Sequence, residues 1–385
     1  MHPNERRPRL TPAMADVRRA VRELLGEVLS PAAASARVDA RQPDPAGSPP
    51  QAAPAPDARL VLVALSGGPD SLALAAALAF EAPRARLRAG AIIVDHSLQP
   101  GSAEVAAHAA AQARALGLAP ALVERVVVAR SAAAVDRTRA EADTDPAAGE
   151  SGEPPTPTGG PEAAARTARY AAFERARAAT GASFILLAHT LDDQAETVLL
   201  GLARGSGASS LSGMSRINGV YLRPLLGIHR RTVHHSLEDQ GLEAWHDPQN
   251  DDPAYARVRV RSTVLPLLEA ELGPGIAEAL ARTADLLRED DEALDALAAE
   301  WAAEIVEHAE AGIAIDVHGL ASNPPALAQR IVRYVVAAEF GTALSRTQTL
   351  AAMRLVHDWH GQAGVDLPGI RVTRAAGQLL FARRA

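Results

Sequence analysis

The run Leu60-Val61-Leu62-Val63-Ala64-Leu65 passes directly into Ser66-Gly67-Gly68-Pro69-Asp70-Ser71, and that hexapeptide passes into a helical stretch reaching Phe80. An unbroken apolar run of this length reads as a strand buried on both faces, the signature of a parallel sheet. Two adjacent glycines allow positive φ and keep Cβ atoms away from an approaching anion. The helix that follows brings its unpaired first-turn amides and positive dipole end to the same point. Ser66 and Ser71 add hydroxyls, and Asp70 adds a carboxylate for a metal or a cationic group. A plain strand-to-helix turn with a Ser or Asp cap is the simpler alternative. The placement of strand, bend and helix favours a phosphate site.

The same alternation continues along the chain. Ala91 to Val94, Leu122 to Val128 and Phe184 to Ala188 read as further buried strands, with helices over 102–116, 163–179 and 192–202. The fold class expected is α/β, a doubly wound, Rossmann-like parallel sheet covered on both faces, with its ligand at the carboxyl ends of the strands. From about Gly273 the pattern changes. Helices are expected over 276–305, 326–340 and 347–360, then short strands at 369–372 and 378–381. The domain plan is an N-terminal helix and disordered linker (1–57), a catalytic domain (58–272) with a disordered insertion at 131–160, and a smaller, mostly helical C-terminal domain (273–385). The two segments read as disordered are rich in Pro, Ala, Ser and Gly.

Composition narrows the chemistry. The 385 residues include no cysteine, which excludes disulfides, thiolate nucleophiles, Fe–S clusters and Cys-based zinc sites. All 39 residues counted as Lys plus Arg are arginine, which removes Schiff-base chemistry and a Walker-type loop. The formal net charge of −7 argues against wholesale nonspecific nucleic-acid binding while leaving room for a local basic surface. There is neither a run of 18 apolar residues nor a signal-peptide core, so no membrane is expected and a cytoplasmic location is.

Four later stretches carry polar residues at informative spacing. Asp95-His96-Ser97-Leu98-Gln99-Pro100-Gly101-Ser102 follows the second strand. Glu162, Arg166 and Arg169 share one helical stripe, where a solvated face is the plain reading. Ala188-His189-Thr190-Leu191-Asp192-Asp193-Gln194-Ala195-Glu196 follows the fourth strand and sets Asp193 and Glu196 on one face of a first helical turn. Capping by acidic residues explains Asp192 or Asp193 alone, but not His189 and Glu196 with them. Arg204-Gly205-Ser206-Gly207 then ends that helix. Further on come Arg223-Pro224-Leu225-Leu226, a histidine- and arginine-rich run at 229–235, and Arg257 and Arg261 four residues apart. The histidines lack convincing metal spacing and read as surface residues.

Ser-Gly-Gly-x-Asp-Ser resembles the phosphate loop of the N-type ATP pyrophosphatases. Together with the later motifs, from about Leu60 to Leu268, the sequence resembles the tRNA(Ile)-lysidine synthetase family, with Gln99, Gln249 and Val258 departing from its usual Arg, Ser and Asn. The resemblance implies ligation of L-lysine to C2 of the wobble cytidine (position 34) of a CAU-anticodon tRNA(Ile), after adenylation of the C2 oxygen by ATP and Mg²⁺. It implies that Ser66, Gly67, Gly68, Pro69, Asp70 and Ser71 cradle the phosphates, with Asp95, His96, His189, Arg166 and Arg204 also on the nucleotide side. Asp70, Asp193, Glu196 and Arg169 are the expected catalytic residues, the three acids receiving the lysine ammonium. Asp70, Asp192 and Asp193 are the expected metal ligands. Arg257 and Arg261 become candidates for tRNA phosphates. The partners are the tRNA and L-lysine, with a homodimer left open. Two rival readings are another tRNA-modifying pyrophosphatase such as a cytidine thiolase, and a non-catalytic nucleotide- or tRNA-binding protein.

Overall fold

A computed structural model describes residues 10–30, 58–97, 101–126, 161–205, 207–309 and 312–384. The linker and insertion read at 31–57 and 131–160, with Leu98, Gln99, Pro100 and Ser206, lie outside the described residues, as do the side chains of Glu162 and Gln249. The described residues through Ala284 belong to one compact unit, and those from Asp285 to a second.

In the first unit, strands β1 (Leu60–Ala64), β2 (Arg88–Asp95), β3 (Ala121–Arg125), β4 (Phe184–Leu186), β5 (Ile217–Asn218) and β6 (Tyr221–Leu222) form one sheet in the order β3-β2-β1-β4-β6-β5. Every pairing is parallel except that of the edge strand β5 with β6. Leu60, Val61, Leu62 and Val63 are each at most 4% exposed, as a strand covered on both faces requires. Helices α1 (Pro12–Leu29), α2 (Pro69–Glu81), α3 (Ser102–Ala115), α4 (Pro161–Thr180), α5 (Leu191–Ala203), α6 (Arg230–Glu238) and α7 (Leu265–Leu272) belong to this unit. The sheet order reverses direction between β1 and β4, so the loops leaving those two strands flank the switch point where ligands of such sheets bind. The phosphate-loop hexapeptide leaves β1, and His189 leaves β4.

The expected elements are present with shifted ends. The third strand ends at Arg125, and the fourth at Leu186, which leaves His189 in the loop ahead of α5. The short β5–β6 hairpin has too few residues to carry a periodic signal. The N-terminal helix is part of the first unit's core rather than an appendage: Val17, Val21, Leu24 and Leu25 are buried in the same cluster as Leu72, Leu225, Val233 and Leu237.

Helix α8 (Ile276–Ile305) begins in the first unit, where Ala277 and Ala281 pack with Leu191, Ala195 and Leu265. The unit boundary therefore falls within this helix, later than residue 272. The second unit holds helices α9 (Val317–Ala321), α10 (Pro325–Phe340) and α11 (Arg346–His357) with an antiparallel sheet. Its strand order is β7 (Val306–Ala309), β8 (Gly312–Asp316), β11 (Gln378–Arg383), β10 (Ile370–Ala375), β9 (Val365–Leu367). Ile331, Val332, Val335 and Val336 of α10 meet Val372, Leu379 and Phe381 in its core.

Candidate active site

The bend after β1 is held by its own side chains. Gly67 takes φ +87°, a conformation that favours glycine. The Ser66 and Ser71 hydroxyls are 3.0 Å apart, and Ser71 Oγ donates to the Gly68 carbonyl at 3.0 Å while accepting the Ser66 N–H at 3.2 Å. Pro69 opens α2 at a position where its missing N–H costs nothing. From across the loop, the Trp245 N–H donates to the Gly67 carbonyl at 2.9 Å. A Cβ added to Gly67 would stand 3.6 Å from the Ala109 Cβ and 3.9 Å from that of Trp245. The bend is thus pre-shaped, with a helix N-terminus directed at the place an anion would take.

Helix α5 supplies the acids. Thr190 caps it: its N–H and hydroxyl both donate to Asp193 Oδ2 at 2.8 Å, and the Asp193 N–H returns a longer bond to Thr190 Oγ1. That commits one Asp193 oxygen to the helix end and leaves Oδ1 facing the site. Arg230, at the start of α6, reaches Asp193 Oδ1 at 2.7 Å, Glu196 Oε1 at 3.1 Å and Asp70 Oδ2 at 3.7 Å. One guanidinium therefore spans the phosphate-loop aspartate and both acids of α5. His234, one turn on, places Nε2 3.1 Å from Asp70 Oδ1.

Two expectations change here. Asp193 and Glu196 are expected to receive the lysine ammonium with Asp70, yet Glu196 is 0% exposed and both its oxygens are taken. Arg261 binds it through Nε and Nη2 at 2.8 and 3.1 Å, and Arg257 approaches at 3.5 Å. A carboxylate removed from water in this way needs full pairing, and three guanidiniums provide it. Arg257 and Arg261, expected as candidates for tRNA phosphates, pair with Glu196 instead; Arg257 also donates to Thr197 Oγ1 at 3.1 Å. Three arginines facing Asp70, Asp193 and Glu196 make the cluster close to neutral.

Asp192, expected as a metal ligand, accepts the Arg230 backbone N–H at 2.7 Å and so caps α6. Asp95 is buried and accepts the Ser97 N–H at 2.9 Å, tying the turn after β2. His96 accepts a bond from Arg169 Nε at 3.2 Å, so these two expected site residues do meet. Arg166 lies over the Tyr170 ring, 5.1 Å from its centroid. Arg204 is not brought to the cluster. It sits at the far end of α5, roughly 16 Å along the axis from Asp193 at 1.5 Å per residue, where Gly205 at φ +67° closes the helix.

Sequence reasoning missed Arg230 and His234 as site residues. Their four-residue spacing places both on one row of α6, but an arginine in a run with five polar neighbours looks like a solvated surface. Arg223, wholly buried after β6 and donating to the Ser215 carbonyl at 3.0 Å, was likewise passed over.

The electrostatics separate neutral from charged groups. Burial, reinforced by Arg223, lowers the His189 imidazole to about 3; burial and Arg169 lower His96 to about 4. The Nδ1 atoms of both rings are buried and have no hydrogen-bond partner among the described residues. Burial pushes the Asp193 carboxyl up, but Arg230 first, then His189 and the Thr190 N–H, outweigh it and hold the group at about 2. A buried histidine that stays neutral opposes folding wherever the unfolded chain binds the proton, between the lowered value and the ordinary 6.5. Stability is therefore expected to fall as pH drops below about 6.5. Asp193 adds a further loss as pH falls from about 4 toward 2. Thermal unfolding at pH 7.5 and 5.0 checks this: the midpoint should be lower at pH 5.0, and His189→Gln should shrink the difference.

Residues 48–268 match the PP-loop domain family, and residues 315–380 match the TilS substrate binding domain. A tRNA(Ile)-lysidine synthase of Leifsonia xyli is 62% identical over 323 residues, covering 84% of this chain and 89% of that protein. The chain belongs to the tRNA(Ile)-lysidine synthase family. A second member, from Thermobifida fusca, is 51% identical over 319 residues, covering 82% of this chain and 89% of that protein. Among solved structures, a U34-tRNA thiolase from Methanococcus maripaludis overlays with a TM-score of 0.49 at 19% identity, covering 72% of this chain and 80% of that one. As a tRNA(Ile)-lysidine synthase family member, the protein is a ligase whose first unit is an ATP-binding PP-loop domain. No helix among its described residues is long and apolar enough to cross a membrane.

Proposed function

We propose that this enzyme joins the ε-amine of L-lysine to C2 of the wobble cytidine of a CAU-anticodon tRNA(Ile), releasing AMP and pyrophosphate. The observation that carries the reading is the single guanidinium of Arg230 touching Asp70 of the phosphate loop and Asp193 and Glu196 of α5. It brings the bend proposed to hold the triphosphate and the acids proposed to meet the lysine within one side chain's reach.

Residues 66–71 would hold the triphosphate through first-turn amides and the Ser66 and Ser71 hydroxyls. The neutral ring of His189 supplies a hydrogen bond without adding charge. The cytosine C2 oxygen attacks the α-phosphorus and pyrophosphate leaves, which turns a poor leaving group into AMP; the lysine amine then adds at C2 and AMP departs. Arginines beside the bend would balance the charge that develops on phosphate. For the lysine, Asp70 and Asp193 Oδ1 are the proposed ammonium contacts, shared with Arg230, while buried Glu196 positions the arginines. The ammonium must lose its proton before attack.

Mg²⁺ is proposed with the triphosphate. No group of three or more His, Asp or Glu side chains among the described residues converges on a metal position. The ion would therefore take most of its oxygens from phosphate and water, with Asp70 as its protein ligand, in keeping with how Mg²⁺ is usually held. Incubating the enzyme with ATP, labelled lysine and the CAU-anticodon tRNA(Ile) tests the whole reading. One lysine should be incorporated per tRNA, with AMP formed in equal amount. A thiolase or a non-catalytic binder would incorporate none. Sedimentation equilibrium of the same preparation reads whether the enzyme is a homodimer.

A further inference from the structure

Helix α1 precedes the PP-loop match, which begins at residue 48, yet it is tied to α2, which carries Asp70, and to α6, which carries Arg230 and His234. Met14, Val17, Val21, Leu24 and Leu25 form one helical row, each at most 1% exposed. The last four share a core cluster with Leu72, Leu74 and Leu78 of α2 and with Val233 and Leu237 of α6. The polar ties extend beyond that row. Thr11, the N-cap of α1, donates its hydroxyl to Asp239, the C-cap residue of α6. Arg22 lies 3.7 Å from Glu81 at the end of α2, and Arg18 stacks 3.7 Å above the Phe80 ring. Glu27 pairs with Arg216 at 3.5 Å, and the Arg216 carbonyl accepts the N–H of Arg223 at 2.8 Å.

On α6, the buried row Val233, Ser236 and Leu237 lies beside the polar row Arg230 and His234. The packing that seats one row therefore sets the other, and the α6 backbone cannot slide without moving the Arg230 guanidinium off its three acids. The phosphate loop has separate supports: the sheet register of β1, its own serines and the Trp245 N–H.

We infer that α1 is a positioning element of the active site, fixing α6 against α2 so that Arg230 stays on Asp70, Asp193 and Glu196. The inference rests on the lysine reading above for its kinetic consequence, but its structural half stands without it. Loosening α1 should then weaken use of lysine and leave use of ATP nearly unchanged.

Two substitutions in the full chain test this. Thr11→Ala cuts the tie to Asp239 and removes a helix cap, and Thr11→Ser should restore both. Val21→Ala opens the buried row. Each Ala variant is expected to raise the KM for lysine by about 3- to 10-fold and the KM for ATP by less than about 2-fold. Combined with Arg230→Ala, Val21→Ala should add little, since both act through the same side chain. Leu118→Ala, at a buried position between α3 and β3, serves as the comparison for destabilisation alone. Hydrogen exchange of residues 230–238 should quicken in Thr11→Ala while residues 60–72 stay protected, and this holds whichever amine the enzyme uses. The inference is overturned if exchange over 230–238 is unchanged in Thr11→Ala, or if Leu118→Ala moves the lysine KM as far as Val21→Ala. A parent enzyme that incorporates no lysine would instead sink the functional reading, with the exchange result still deciding the role of α1.

Discussion

Glu196→Ala is expected to lower stability by about 3–5 kcal/mol and to remove measurable turnover. Glu196 has no solvent-exposed surface, and its two oxygens are the shared anion of Arg230, Arg257 and Arg261. Removing one partner of a buried ionic cluster leaves the others desolvated and mutually repelling, which costs far more than the pairing contributes. Arg257 and Arg261 keep about a third of their side-chain surface, so water relieves part of the penalty and the lower end of the range is expected. Glu196→Gln should be intermediate, because its amide keeps the shape but turns two donors toward guanidiniums. Urea denaturation measures the loss; a change below about 1 kcal/mol would place Glu196 among ordinary surface acids, whose pairs contribute that little.

Asp193→Asn separates chemistry from folding. An asparagine oxygen still accepts from Thr190, so the cap of α5 is retained. What is lost is the charge facing Arg230 at 2.7 Å. The ammonium proposed at Oδ1 also loses its charge partner, and truncating one side of a desolvated charge pair with a substrate costs about 2–5 kcal/mol, a fall of roughly 30-fold or more in kcat/KM for lysine. The thermal midpoint should move far less than in Glu196→Ala. Equal lysine kinetics in the variant and the parent enzyme would remove Asp193 from the ammonium site.

Much of this is legible in the sequence itself. The continuous apolar run of β1 and the Gly67-Gly68 pair lie in local sequence, where periodicity and conformational freedom leave a direct trace. Asp193 and Glu196 were legible for the same reason, being three apart on one turn. The partners of these acids were not. Arg230, Arg257 and Arg261 lie 34 to 65 residues from Glu196 along the chain, and nothing in their neighbourhoods distinguishes an arginine facing a buried carboxylate from one facing water. His234 was hidden likewise, 164 residues from Asp70. One expectation is altered: the acids expected to receive an ammonium are already paired with arginines in the fold. The role of α1 was hidden by its distance from the motifs, because only packing reveals that its apolar row is shared with α6.

The most direct test is a single-turnover reaction with excess enzyme, ATP, labelled lysine and CAU-anticodon tRNA(Ile), following pyrophosphate release and lysine transfer separately. Asp193→Asn should release pyrophosphate at a rate close to that of the parent enzyme and transfer lysine slowly, since the phosphate bend is intact and the ammonium contact is weakened. Lysine transfer at the parent rate in Asp70→Asn combined with Asp193→Asn would contradict the account, because the amine would then be held somewhere other than beside the phosphate loop.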